Sequence, residues 1–216
     1  MANEKYIPAL GYDFLTAYYD LTIKLTMPEK RFRRLLEEHI NPQKGENILE
    51  FGFGTGSNLL LVKQQNPDIL LRGVDIDPKV RDIAAHKLAK QGLELPLDLY
   101  DGYRFPYTDA QFDKVYSCLV FHQLDAATKL ACLNEIQRVL KPNGQLIIAD
   151  WGKAANVLMR LTFGLVQLLD GFLTTNDNVR GFMPQFIEQA GFQNVEVKQS
   201  INTVIGTFSY FKALKE

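Results

Sequence analysis

The chain has 216 residues, of which 46% are hydrophobic, and this balance fits a single soluble globular domain with ample material for a core. Its 24 basic and 25 acidic side chains give a formal net charge of -1, without the basic excess usual in nucleic-acid-binding domains. The cysteines form no CxxC pair and the histidines have no zinc-ligand spacing, so we expect neither a disulfide framework nor a metal. No basic-then-apolar leader opens the sequence, so we expect a cytoplasmic protein.

Helical patterns occupy the sequence before residue 47. They predict one helix over 12–25 and a second over 29–40, with Pro28 at the start of the second. The second helix carries a basic cluster at 30–34, but acidic residues follow it on the same helix. We therefore interpret the cluster as a solvated amphipathic face rather than a nucleic-acid-binding patch.

Beyond residue 47, apolar strand-like runs alternate with helical patterns, which predicts a mostly parallel sheet. The predicted strands are 47–50, 70–75, 96–100, 112–118 and 145–150, and the predicted helices are 57–65, 78–91, 126–140 and 155–172. A short helix over 183–190 is followed by two strand-like segments, at 194–198 and 208–213, with no helix between them. Such a pair predicts an antiparallel hairpin at one edge of the sheet.

The segment 154–173 is almost wholly apolar, but Arg160 interrupts it along with other polar residues. A membrane span with an arginine in this position is disfavoured. We expect a buried or lid helix over the substrate cleft, with weak peripheral membrane contact as the minor alternative.

The run Ile48-Leu-Glu-Phe-Gly-Phe-Gly-Thr-Gly-Ser-Asn is the most informative part of the chain. A glycine-rich turn between a buried strand and a helix lets a ligand lie against bare backbone, with the helix N-terminus facing it. The glycines are Gly52, Gly54 and Gly56, whereas the dinucleotide fingerprint Gly-x-Gly-x-x-Gly would require glycine at position 57. Glu50 at the head of the turn favours an amine-bearing or cationic ligand over a pyrophosphate.

Two further carboxylates follow the neighbouring strands. Asp75 ends the second strand, where a carboxylate can accept hydrogen bonds from both ribose hydroxyls. Asp101 and Gly102 follow the third strand. There the Asp101 carboxylate can accept a hydrogen bond from an adenine amino group, with Ile76 or Tyr103 packed on the adenine ring. The alternative is that Asp101 only stabilises a turn. Three carboxylates at successive strand ends suit an adenosine with a cationic amino-acid tail, as in S-adenosylmethionine.

Residues 45 to 151 resemble a class I S-adenosylmethionine-dependent methyltransferase (methyltransferase type 11 domain), and most of all the ubiquinone/menaquinone-biosynthesis C-methyltransferase branch. The resemblance rests on Ile48-Leu-Glu-Phe-Gly-Phe-Gly-Thr-Gly, Gly73-Val-Asp-Ile-Asp, Asp101-Gly-Tyr-Arg-Phe-Pro-Tyr, the segment 112–124 and Glu135-Ile-Gln-Arg-Val-Leu-Lys-Pro-Asn-Gly. It implies an α/β, Rossmann-like fold: a seven-stranded, mostly parallel sheet with an antiparallel last strand, helices on both faces and an N-terminal helical extension.

Carried over residue by residue, the resemblance implies a cofactor site for S-adenosyl-L-methionine, with S-adenosyl-L-homocysteine as the product. Glu50 and the first glycines would surround the methionine part, Asp75 the ribose, and Asp101 the adenine. The expected contacts are Glu50, Gly52, Gly54, Gly56, Asp75, Ile76, Asp101, Gly102 and Cys118, the last facing the ligand where the fourth strand ends. Phe53 departs from the family's usual small residue, so we expect a tighter turn.

We expect one methyltransferase domain over 1–216. Its parts would be a helical N-terminal cap over 1–44, a cofactor-binding core over 45–151, a lid or substrate segment over 152–182, and a C-terminal helix and hairpin over 183–216.

Methyl transfer from a sulfonium is an in-line displacement that depends on alignment and exclusion of water. His122, just past the fourth strand, is a candidate base, with a packed histidine as the alternative. Asp150 and Trp151, at the tip of the fifth strand, are candidates for substrate contact. The apolar segment hints at a small hydrophobic acceptor such as a quinone precursor.

Three other functions compete with methyl transfer. They are an aminopropyl transferase, a non-catalytic adenosylmethionine-binding sensor or partner protein, and an NAD(P)-dependent oxidoreductase. The last conflicts with the glycine spacing and with Glu50.

Overall fold

The computed structural model describes residues 29–156, 159–160, 163–164, 172–203 and 206–216. The helix predicted over 12–25 lies outside these residues, as does much of the one predicted over 155–172. Of the latter, residues 155 and 156 form a bend, and residues 159, 160, 163 and 164 are helical.

Seven strands form one sheet in the order β3-β2-β1-β4-β5-β7-β6. They are β1 (Asn47–Phe51), β2 (Leu70–Asp75), β3 (Leu97–Leu99), β4 (Phe112–Cys118), β5 (Leu140–Trp151), β6 (Gln193–Asn202) and β7 (Thr207–Leu214). The first five strands pair in parallel, whereas β7 runs antiparallel to both β5 and β6. The mostly parallel sheet and its C-terminal hairpin are thus confirmed.

Helices cover both faces of this sheet, as predicted. They are α1 (Glu29–Ile40), α2 (Ser57–Gln65), α3 (Pro78–Ala89), α4 (Ala126–Val139), α5 (Phe172–Arg180) and α6 (Met183–Gln189), with a 3₁₀ turn at Phe121–Gln123. Because side chains alternate along a strand, Ile48 of β1 enters one hydrophobic core and Leu49 enters the other. Buried residues of α1, α2 and α3 belong to the first core, and those of α4 and α6 to the second.

Two elements differ from the prediction. Strand β5 begins at Leu140 rather than 145. Residues 141–144 form an irregularity within it, where Asn143 has a φ of 62° and the register with β4 shifts. Helix α5 was not predicted beyond its first residue. Its sequence Thr-Thr-Asn-Asp-Asn has low helix propensity, and packing rather than propensity forms this helix.

None of the helices within the described ranges has the length and apolar character needed to cross a membrane. Those ranges also contain no group of three His, Cys, Asp or Glu residues arranged to hold a metal ion.

Candidate active site

The glycine-rich loop joins β1 to α2 with all three glycines in left-handed backbone. The φ angles of Gly52, Gly54 and Gly56 are 71°, 50° and 75°. A Cβ at Gly52 would lie 2.3 Å from Val120 Cγ2, and one at Gly56 would lie 2.9 Å from Ala84 Cβ. A Cβ at Gly54 would meet no described atom within 4 Å. Packing therefore requires glycine at 52 and 56, whereas Gly54 presents bare backbone to open space, which fits a ligand site.

Phe53, the departure from the family pattern, points into the core. Its side chain is buried, and its ring lies over Gly73 of β2, where a Cβ would be 2.6 Å from Phe53 Cδ1. The bulky loop residue fits because β2 has no side chain at this position. Phe53 therefore leaves the ligand space open.

Asp75 lies at the carboxyl end of β2 and is bonded to the loop. Its Oδ2 accepts from Gly54 N at 2.9 Å, and its Oδ1 accepts from Ile76 N at 2.7 Å and Asp77 N at 3.1 Å. Burial raises the pKa of Asp75, and the three hydrogen bonds oppose this effect. The carboxylate is thus held beside Gly54, so two residues of the expected site lie together.

Asp101 lies in an exposed turn after β3. Its Oδ1 accepts from Tyr103 N and Arg104 N, both at 2.9 Å, and these bonds lower the pKa of Asp101. This is the geometry of a turn aspartate, and a role at the adenine stays a prediction. A Cβ at Gly102 would lie 3.4 Å from Ile76 Cδ1, so these two expected adenine contacts are neighbours.

Glu50 is fully buried rather than exposed to the ligand space. Asn58 Nδ2 donates to its Oε1, and the Tyr116 hydroxyl donates to its Oε2, each at 3.0 Å. Burial raises the pKa of Glu50 to about 8, although these hydrogen bonds and the nearby Arg33 act in the opposite direction. At neutral pH the carboxyl is therefore mostly protonated, and a cation placed beside it would favour the ionised form.

Arg33 connects α1 to the Glu50 network. Its Nη1 donates to Asn58 Oδ1, and its Nε donates to Glu29 Oε1 at 2.9 Å. The other basic residues of the 30–34 cluster are exposed, as predicted, whereas Arg33 turns inward. Cys118 at the end of β4 is near the same network, and burial raises the pKa of its thiol to about 12, so the thiol stays neutral.

His122 and Asp150 form a buried pair where β4 and β5 end. His122 Nδ1 lies 2.7 Å from Asp150 Oδ1, and the backbone N–H groups of His122 and Trp151 donate to the same carboxylate at 3.2 Å and 2.7 Å. Since a carboxylate only accepts, Nδ1 carries the proton and Nε2 is the basic nitrogen. An imidazole oriented by a carboxylate in this way is suited to general-base chemistry.

Helix α5 covers this pair and is held in place by hydrogen bonds to β5 and α4. It packs against the 3₁₀ turn that carries His122. Asn178 Nδ2 donates to Trp151 O at 3.1 Å, and Lys129 Nζ of α4 donates to Thr174 O at 2.7 Å. Both Asn178 and Lys129 are fully buried.

Comparisons with known proteins agree with this arrangement. The methyltransferase domain family (type 11) matches residues 49–148. A demethylmenaquinone methyltransferase of Thermus thermophilus is 28% identical over 177 residues, which cover 79% of this chain and 80% of that protein.

Two solved structures share the fold. Phosphoethanolamine N-methyltransferase 2 of Haemonchus contortus, in complex with S-adenosyl-L-methionine, superposes with a TM-score of 0.74 at 14% identity, covering 96% of this chain and 58% of that one. The YcgJ protein of Bacillus subtilis has a TM-score of 0.70 at 14% identity, covering 87% and 99%.

The protein is an S-adenosylmethionine-dependent methyltransferase of the Rossmann-like class. Among such enzymes it resembles the ubiquinone/menaquinone-biosynthesis branch, as its sequence motifs indicated. The comparisons do not favour the oxidoreductase and sensor alternatives.

Sequence reasoning missed the residues that enclose Glu50. Asn58 and Tyr116 look like ordinary positions of a helix and a strand, and Arg33 looks like part of a solvated face. One signal was present: the polar Asn58 directly precedes the apolar run 59–62 in the first turns of α2.

Proposed function

We propose that the protein methylates a small hydrophobic aromatic acceptor of the quinol type, with His122 as the base for its hydroxyl proton. The main support is the 2.7 Å hydrogen bond between His122 Nδ1 and Asp150 Oδ1 at the carboxyl edge of the sheet. The Thermus relative, named a demethylmenaquinone methyltransferase, supports a quinol-type acceptor. Two free cysteines are consistent with a cytoplasmic enzyme.

The cofactor contacts follow from the positions of the loop residues. Bound S-adenosylmethionine supplies an electrophilic methyl group on a sulfonium. Gly54 would offer bare backbone to the methionine part, and Asp75 would accept from the ribose hydroxyls. Ile76 and Gly102 would flank the adenine. Glu50 is buried behind the loop, and its ionised form would stabilise the ammonium group electrostatically rather than by direct contact.

The protein's own residues position the acceptor and take up its hydroxyl proton. The hydroxyl proton would move to His122 Nε2, and the acceptor oxygen, or the ring carbon that it activates, would take the methyl group while the sulfur keeps the bonding electron pair. In the ring-carbon case the ring C–H proton would then leave and the oxygen would regain a proton, so that either route releases one net proton. Asp150 stabilises the resulting imidazolium through the Nδ1 hydrogen bond. Helix α5 excludes water from this space, which strengthens these electrostatic interactions.

The test is a pair of conservative substitutions, His122→Gln and Asp150→Asn. We expect each to lower the single-turnover methylation rate of a hydroquinone or naphthohydroquinone by about 10²- to 10⁴-fold, the usual contribution of a positioned base. Binding of S-adenosylhomocysteine should stay within about twofold of the unmodified protein. His86→Gln, on the exposed side of α3, is the matched control. Unchanged turnover in both variants would remove His122 from the reaction.

A further inference from the structure

A cavity lined by cations opens beside the end of β5. Its volume is about 320 Å³, within the range of small-molecule sites, and its described lining consists of Lys153, Ala154, Asn156, Arg160, Val179 and Arg180. Three of these side chains are positively charged, and none of the described lining residues is acidic. Because the whole chain has a net charge of -1, general basicity does not explain this concentration.

Two of the cations have no anionic partner among the described residues: neither Lys153 nor Arg180 has an ion-pair or hydrogen-bond partner there for its side chain. The Arg180 guanidinium lies 4.9 Å from the centroid of the Phe182 ring, a cation–π contact that orients it without cancelling its charge. Two such cations at one cavity favour an anionic ligand.

Backbone contacts hold these cations in place. Ala154 N donates to Val179 O at 3.3 Å, so the segment after β5 is joined to the end of α5. Gly181 has a φ of 84°, and a Cβ there would lie 3.0 Å from Lys153 Cβ. Because Lys153 approaches the Gly181 backbone closely, Lys153 and Arg180 lie on the same wall of the cavity.

The cavity lies close to the reacting groups. Lys153 follows Asp150 by three residues, and an extended chain spans at most about 3.6 Å per residue, so their Cα atoms are within roughly 11 Å of each other. Asn178, one residue before Val179, donates to Trp151 O at 3.1 Å. The cavity and the His122–Asp150 pair are therefore both next to the junction of β5 with the end of α5.

We propose that this cavity binds an anionic group, a carboxylate or a phosphate, of the methyl acceptor through Lys153 and Arg180. This inference rests on the proposed function and narrows its acceptor to an aromatic molecule that also carries a negative charge. Ala154 and Val179 supply an apolar wall for the part of the acceptor next to that group. Lys153 and Arg180 are exposed at the open side of the cavity, where a dissolved anion can reach them.

Trp151, the single tryptophan of the chain, makes the cavity observable by intrinsic fluorescence. We would titrate inorganic pyrophosphate, 4-hydroxybenzoate and uncharged phenol into the protein, with and without S-adenosylhomocysteine. We expect saturable binding of the two anions, at least tenfold weaker binding of phenol, and at least tenfold loss of anion affinity in the Lys153→Gln/Arg180→Gln double variant. Lys153→Arg should retain the affinity.

Lys90→Gln, which removes one exposed positive charge directly after α3, is the control and should bind the anions within twofold of the unmodified protein. Equal anion binding by the double variant and the unmodified protein would overturn the proposal, as would the absence of saturable binding. Flotation with phosphatidylcholine vesicles containing phosphatidylglycerol distinguishes an anionic lipid headgroup from a dissolved anion. Vesicle binding without pyrophosphate binding would also overturn the proposal.

The same titrations keep the two proposals apart. S-adenosylhomocysteine should bind the double variant within twofold, because none of the substituted residues belongs to the cofactor site. If the unmodified protein bound the anions but not S-adenosylhomocysteine, the proposed function would fail and the anion cavity would stand.

Discussion

Burial raises the pKa of Glu50, and this makes the stability of the folded protein depend measurably on pH. Its pKa rises from 4.5 to about 8 on folding, so between these values the unfolded chain binds fewer protons than the folded one. The free energy of unfolding therefore falls as pH rises from about 4.5 to 8, by up to about 1.4 kcal/mol per pH unit from this group.

Glu50→Gln removes this titration while keeping the shape of the protonated side chain. Urea unfolding of both proteins at pH 5, 6, 7 and 8 should show the variant gaining stability relative to the unmodified protein as pH rises. Other titrating groups cancel in the difference, since both proteins contain them. A difference that stays constant with pH would mean that Glu50 is ionised in the folded protein.

Asp75 is the residue that we expect to matter most for cofactor affinity. In Asp75→Asn the side-chain amide N–H₂ faces either Gly54 N or the ribose hydroxyls, depending on its orientation. In either orientation one of these donors loses a carboxylate oxygen that would accept its hydrogen bond. We expect S-adenosylhomocysteine to bind about 1–3 kcal/mol more weakly by calorimetry, the scale of hydrogen bonds to a charged group. Asp82→Asn, exposed on α3, should bind normally. Normal binding by the Asp75 variant would contradict the assignment.

At the scale of elements, the glycine loop depends on its contact with β2. In Gly73→Ala the new Cβ would lie 2.6 Å from Phe53 Cδ1 and 3.1 Å from Leu59 Cδ1, so the ring and the loop must move. We expect a loss of about 1–3 kcal/mol in unfolding free energy, as for other overpacked cores, together with weaker S-adenosylhomocysteine binding.

The double variant Phe53→Ala/Gly73→Ala separates loop displacement from a general effect on β2. It removes the Phe53 ring that the new Cβ at position 73 would otherwise meet, so it should recover cofactor affinity relative to Gly73→Ala. Gly164→Ala, where a Cβ meets no described atom within 4 Å, is the control and should unfold normally. If the double variant binds no better than Gly73→Ala, the Phe53 contact does not set the loop geometry.

Local patterns predicted the elements that depend on local chemistry. The strand, glycine turn and helix at 47–65 and the helix start at Asp77-Pro78 follow from alternation and capping, and Asp77 does accept from Lys79 N at 2.8 Å. Contacts between distant segments could not be predicted in the same way. Arg33 and Asn58 are 25 residues apart, and only tertiary packing decides which basic residue of α1 turns inward.

At the scale of the whole molecule, cofactor binding should stabilise the folded state because the loop, β2 and the turn after β3 are joined only in that state. At a concentration 100 times its Kd, a ligand that binds only the folded protein stabilises it by about 2.7 kcal/mol. For a chain of this size each kcal/mol raises Tm by about 2–4 °C. We expect S-adenosylhomocysteine to raise Tm by roughly 5–10 °C, and NADH at the same concentration to leave it unchanged, because the glycine spacing and Glu50 disfavour a pyrophosphate. Differential scanning fluorimetry on the full chain measures these changes in Tm. A larger rise in Tm with NADH than with S-adenosylhomocysteine would contradict the cofactor assignment.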